Sequence, residues 1–159
     1  MLKKIEKVRT SIPLDKTEPE QMWINEWGNQ LFVRSENTDG IVGWGEILTA
    51  AGNSRAPYEA MLDILIEQIL TSDEDNIREL WNKMRRLSFS GGYGITTGSI
   101  SGIDISLWDL FSRKVGSSLS NILGKGGLLL KDMLHYPDIP TRRRLHLQLR
   151  NFSLTVISQ

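Results

Sequence analysis

Cysteine is absent from this 159-residue chain. That excludes disulfides, thiolate metal sites and thiol catalysis, and it fits a reducing compartment. Net charge is also missing: 19 basic side chains balance 19 acidic ones. No overall field therefore favours nucleic acid or an anionic membrane. No apolar run approaches the roughly 20 residues that span a bilayer. The opening Met1-Leu2-Lys3-Lys4-Ile5-Glu6 has no apolar signal segment. The chain thus reads as cytoplasmic, with no nucleic-acid and no membrane partner. What is present is ordinary for a globular protein, 40% hydrophobic and 24% charged residues. The length suits one core and is too short for two full domains.

Charge is unevenly placed along the chain. Residues 1–124 hold 13 basic and 17 acidic side chains, a net of −4. Residues 125–159 hold 6 and 2, a net of +4, together with both histidines, His135 and His146. The shift marks a boundary near Gly124, with a domain over 1–124 and a tail over 125–159. The histidines, eleven apart without a cysteine or carboxylate cluster, do not form a metal site. Arg142 to Arg144 lack interleaved aromatics and read as a solvated segment. In the tail, Leu145, Leu147 and Leu149 alternate, as do Phe152, Leu154 and Val156. The tail is expected to be disordered over 125–144, with an added strand over 145–157 as the alternative.

Hydrophobic period divides the first 124 residues. Ile5, Val8 and Ile12 mark a strand that Pro13 ends. Strands are expected near 3–12, 29–36 and 40–48, the last two joined at Asn37-Thr38-Asp39-Gly40, where Asp-Gly suits a tight turn. From Pro57 the period becomes helical. Tyr58, Met61, Leu62, Leu65 and Ile69 predict a helix over 56–70. Ser72 or Asp73 is the expected cap of a second helix with the stripe Ile77, Leu80, Trp81, Met84 and Leu87. A third helix is expected over 97–115, directed inward by Ile100, Ile103, Leu107, Trp108 and Phe111 and ended by Gly116. Trp44, Trp81 and Trp108 are all expected in the core. Three strands followed by three helices is an α+β pattern, a three-stranded antiparallel sheet packed on a helical bundle.

Three motifs resemble a known family. Gly43-Trp44-Gly45-Glu46 is similar to the G-W-G-E of the mandelate racemase and muconate lactonizing group of the enolase superfamily. Ser101-Gly102-Ile103-Asp104-Ile105-Ser106-Leu107-Trp108-Asp109-Leu110 resembles that group's S-G-I-D-x-A-L-W-D helix. Asn121-Ile122-Leu123-Gly124 resembles the close of its amino-terminal domain. The resemblance covers about residues 3–124 and implies a domain that caps a modified TIM barrel. In the family the barrel holds Mg²⁺ and the acid/base residues that remove a proton α to a carboxylate. A barrel needs roughly 250 residues, and only 35 follow Gly124. Neither a K-x-K stretch nor strand-end acids appear among them. The chain is therefore expected to be the cap without the barrel, from a truncated or frameshifted gene. It would carry no catalytic residue, no metal ligand and no cofactor of its own.

The resemblance also implies where substrate is met. Two cap loops, near 14–28 and 49–55, reach over the barrel mouth. They offer Trp23, Asn25, Glu26 and Trp27 from the first, and Asn53, Ser54 and Arg55 from the second. This polar set fits a hydroxylated acid better than an aromatic one, so an acid sugar is expected only where a barrel is supplied. Glu46 alone lacks the partners of a catalytic acid and is expected to make hydrogen bonds at the cap–barrel seam. Asp104 and Asp109, five apart on one helix, are expected to cap or to bridge elements. Gly91-Gly92-Tyr93-Gly94 turns the backbone and lacks the lysine of a phosphate loop. Two readings remain: the cap of an acid-sugar dehydratase or racemase, and a non-enzymatic interaction domain that kept the cap fold. Both expect self-association as a homodimer or higher assembly, through apolar surface the barrel would cover.

Overall fold

In the computed structural model, residues 1–11, 29–49, 55–87 and 94–124 are described. Three strands come first: β1 (Leu2–Ser11), β2 (Asn29–Asn37) and β3 (Val42–Ile47). Four helices follow: α1 (Arg55–Ile69), α2 (Ile77–Leu87), α3 (Ile95–Lys114) and the single turn α4 (Leu119–Ile122). The sheet is antiparallel in the order β1-β2-β3. The expected α+β architecture is therefore what forms.

One sheet face makes the core. Leu31, Val33, Ser35 and Asn37 alternate inward along β2, and Gly43, Gly45 and Ile47 along β3. They meet Leu62, Leu65 and Ile69 of α1, Leu80 and Met84 of α2, and Ile100, Ile103, Leu107 and Leu110 of α3. Along β1 the alternation breaks because the register shifts between Leu2 and Lys4, so Leu2 and Ile5 are both buried. Lys7 and Arg9 face the helices as well and pair with Asp63 and Glu59 of α1. Arg9 grips Glu59 with two nitrogens, at 2.6 and 2.5 Å.

The helix that matters most for shape is α3, which lies almost on the backbone of β3. A Cβ built on Gly45 would stand 2.0 Å from the carbonyl oxygen of Gly102. One built on Gly43 would stand 2.2 Å from that of Ser106. Gly102 in turn leaves no room beside Ile47, whose Cγ1 would be 2.3 Å away. Hydrogen bonds tie the same seam. The buried hydroxyls of Ser35 and Ser106 lie 2.7 Å apart, and Asp109 Oδ2 accepts the backbone N–H of Trp44.

Three sequence expectations need correction, the burial of Trp44, that of Trp81 and the cap of the second helix, whereas Trp108 packs against the core. Trp44 is 41% exposed, because Gly43, Gly45 and Ile47 occupy the inward positions of a period-two strand. Trp81 is 39% exposed, since Ile77, Leu80 and Met84 set the buried stripe of α2 and leave Trp81 on its flank. There Arg85 stacks over its ring at 5.3 Å. Trp108 is partly buried and meets Phe111 edge-on, with ring centroids 6.2 Å apart. The second helix also starts later than Ser72 or Asp73 implied. Asn76 is its cap: its Oδ1 accepts from the N–H of Glu79, and its Nδ2 donates to that residue's carboxylate at 2.6 Å. Asp73 instead accepts from the N–H of Asp75 in a local turn.

Glycine serves turns where φ is positive and a side chain is disfavoured. Gly40 closes the β2–β3 hairpin at φ 80°, and Gly116 follows α3 at φ 64°. Asn37 Oδ1 organises the same hairpin by accepting from the N–H groups of Asp39 and Ile41.

Candidate functional site

The register fixes which ends of the elements share a side. Ser11 pairs with Asn29, and Leu31 with Ile47, so the end of β1, the start of β2 and the end of β3 lie together. Tyr58, in the first turn of α1, packs on Gly98 and accepts from Ser99 Oγ through its carbonyl, in the first turns of α3. Because α3 runs from Gly102 beside Ile47 to Leu110 beside Gly43, its N-terminus points to that same end. The described residues that flank 12–28 and 50–54, namely Ser11, Asn29, Thr49 and Arg55, thus belong to one end of the domain, that of the N-termini of α1 and α3.

Of the sequence-derived candidates, Trp23, Asn25, Glu26, Trp27, Asn53 and Ser54 lie outside the described residues. Arg55 is described. It is the first residue of α1, half-buried at the loop-bearing end, and no described side chain pairs with it. Glu46 is exposed on the outer sheet face, opposite Phe32 in register. Asp109 bridges elements as expected, accepting from Trp44 and, at 3.0 Å, from Arg113. Asp104 does not: among the described residues it has no hydrogen-bond or ionic partner. Burial alone holds its carboxyl above its ordinary value.

At the opposite end of the domain stands a polar lock that the sequence did not suggest. Glu74, 1% exposed, binds the amino terminus of Met1 and accepts from Asn37 Nδ2 at 3.2 Å and Lys114 Nζ at 3.3 Å. Burial works against its charge. The hydrogen bonds from the α-ammonium, its own backbone, Asn37 and Lys114 win, and its pKa falls to about 2. The site is structural: Oε1 accepts from Asn37 and Lys114, and Oε2 forms an ion pair with the α-ammonium of Met1.

The described carboxylates do not suit a divalent cation. Glu59 is held by Arg9, Asp63 by Lys7, Glu74 by two cations and Asp109 by Arg113. Among the described residues no three acidic or histidine side chains converge, whereas Mg²⁺ needs a shared oxygen cage. Nor is any described helix long and apolar enough to cross a membrane.

Comparison with known proteins agrees with this geometry. Residues 5–124 match the family described as mandelate racemase / muconate lactonizing enzyme, N-terminal domain. The chain is 35% identical over 106 residues to a D-galactonate dehydratase of Xanthomonas campestris pv. campestris, covering 67% of this chain and 27% of that protein. In fold it is similar to the 3,6-anhydro-D-galactonate cycloisomerase of Zobellia galactanivorans, with a TM-score of 0.62 and 28% identity, over 77% of this chain and 31% of that one. It is also similar to a racemase of Streptomyces coelicolor A3(2) solved with bound magnesium, with a TM-score of 0.57 and 29% identity, over 72% of this chain and 31% of that one. The chain thus spans 27% of the curated relative's length.

Proposed function

The chain belongs to the mandelate racemase / muconate lactonizing enzyme family through that N-terminal domain, and from this premise we propose that it is the cap of an acid-sugar dehydratase or racemase. The observation that carries the reading is that the end of β1, the start of β2, the end of β3 and the start of α1 with Arg55 share one end of the domain. Loops gathered on a rigid scaffold are where binding residues concentrate. A guanidinium at that end suits the carboxylate of a sugar acid. In this reading the groups that remove a proton α to that carboxylate lie outside the described residues. Glu59, Asp63, Glu74 and Asp109 are each held by a cation within the fold. Magnesium, present in the Streptomyces racemase, has no fitting ligand set among the described residues.

Two experiments test the proposal. The purified 159-residue protein, assayed with Mg²⁺ against a panel of sugar acids, should give no turnover; metal-dependent dehydration would overturn the reading. Replacing the corresponding first part of a galactonate dehydratase with residues 1–124 should keep measurable activity. In that chimera Arg55→Ala should raise KM more than it lowers kcat. A chimera that folds and binds Mg²⁺ yet is inert would count against the cap assignment.

A further inference from the structure

The first turns of α1 and α3 stand side by side. The Tyr58 ring rests against Gly98, and the Tyr58 carbonyl accepts from Ser99 Oγ. Both helices run away from the same end of the domain, so the residues three earlier on each are level too, about 4.5 Å nearer that end. Those residues are Arg55 on α1 and Ile95 and Thr96 on α3.

Three features of this corner suit an anion. The first is the open start of α3. Gly94 precedes the helix, and no side chain caps it. The first bond along the helix runs from the N–H of Gly98 to the Gly94 oxygen, so the N–H groups of Ile95, Thr96 and Thr97 have no acceptor among the described residues. Each helix start carries about half a unit of positive charge, and neither first turn contains an acid. The second is Thr96. It is 3% exposed, yet its hydroxyl has no hydrogen-bond partner among the described residues, a state that burial makes costly. Thr96 shares a helix face with Ser99, which bonds α1. Its side chain therefore faces the start of α1 and leans toward the open end, as helical Cβ atoms do. The third is the Arg55 guanidinium, half-buried and level with Thr96. Glu59, one turn further along α1, does not neutralise it, for two nitrogens of Arg9 hold that carboxylate.

We propose that this corner is an oxyanion site. The α3 N–H groups and the Thr96 hydroxyl donate to the oxygens of a carboxylate or phosphate, and Arg55 pairs with it from the α1 side. Donors spread over two helices match an anion with several oxygens, which can accept from both sides at once. That an anion binds follows from the corner itself; that it belongs to a sugar-acid substrate rests on the cap reading above.

Inorganic phosphate tests the site, titrated into the full 159-residue chain at constant ionic strength in sodium chloride. The amide resonances of Ile95, Thr96 and Thr97 should shift and saturate. Thr96→Val, which removes only the hydroxyl, and Arg55→Gln should each weaken binding at least about tenfold, or 1.4 kcal/mol. Thr97→Asp, at an exposed position of the same turn, should abolish binding while raising the melting temperature, because its carboxylate takes the anion's place. That pairing of effects separates a lost site from a lost fold. A six-carbon aldonic acid then distinguishes the sources. Displacement of phosphate from the same amides assigns the site to a sugar-acid carboxylate, and no displacement assigns it to a phosphate group. Amides that stay still, that respond equally to chloride, or that respond equally in all three variants overturn the proposal. An inert chimera beside a chain that binds phosphate would remove the cap reading alone. An active chimera beside a chain that does not bind would remove this site alone.

Discussion

Asp109 Oδ2 accepts the backbone N–H of Trp44 at 2.9 Å, joining an edge strand to a helix 65 residues further along the chain. The same carboxylate holds Arg113 one turn on. The bond blocks part of the outer edge of β3, where an unpaired N–H would otherwise invite another strand. Asp109→Ala should therefore cost about 1–2 kcal/mol, mostly by stranding the Trp44 donor. Asp109→Asn, which keeps an acceptor, should cost less. Urea midpoints of the two variants would show the order; equal losses would mean that charge rather than the acceptor matters.

The glycines of the strand–helix seam should be far less tolerant than the glycine of the hairpin. Gly45→Ala and Gly102→Ala place a methyl into occupied space, at 2.0 Å from a carbonyl oxygen and 2.3 Å from the Ile47 side chain. Each should destabilise by on the order of 3 kcal/mol, with Gly45 worse because backbone cannot step aside. Gly40→Ala meets nothing within 4 Å and pays only for its φ of +80°, about 1 kcal/mol. Denaturant unfolding of the three variants would rank them, and a Gly40 variant as damaged as the Gly45 one would contradict this seam.

Glu74 should make stability fall in acid. Its folded-state pKa of about 2 lies below the ordinary 4.5, so the unfolded chain takes up its proton first as pH drops. The stabilisation is complete above about pH 5 and drains away between 4.5 and 2. A shift of that size corresponds to on the order of 3 kcal/mol at neutral pH. Glu74→Gln should lower stability at pH 7 and flatten the pH profile below 5. Thermal melts from pH 2 to 7 measure both effects, and an unchanged profile in the variant would remove Glu74 from the account.

Helix α2 should depend on Asn76. Its side chain satisfies the N–H of Glu79 and anchors that residue's carboxylate. Asn76→Ala should cost about 1 kcal/mol, whereas Ser72→Ala should cost little, since Ser72 meets Leu2 through backbone alone. Equal losses at the two positions would return the cap to the site the sequence first suggested.

Much of the fold was legible in sequence because period is a local property. Alternation along 31–37 and 43–47 and the 3.6-residue stripes through Leu62–Ile69 and Ile100–Leu110 gave the elements and their order. Gly40 and Gly116 announced their turns through a backbone conformation that side chains oppose. The motifs pointed to the family, and Gly43, Gly45, Gly102, Ser106 and Asp109 within them form the joint between β3 and α3.

What period could not settle was which flank a large side chain takes. Trp44 was expected at an inward position, yet strand parity put Gly43 and Gly45 inward, because α3 comes too close for anything larger. Trp81 follows a buried stripe without belonging to it, since 100° per residue carries it round to the flank. The ionic partners were equally hidden. Nothing local links Met1 and Asn37 to Glu74, or separates Asp109, which finds Trp44, from Asp104, which finds no described partner. Those outcomes depend on contacts between residues tens of positions apart, which exist only once the sheet and helices have packed.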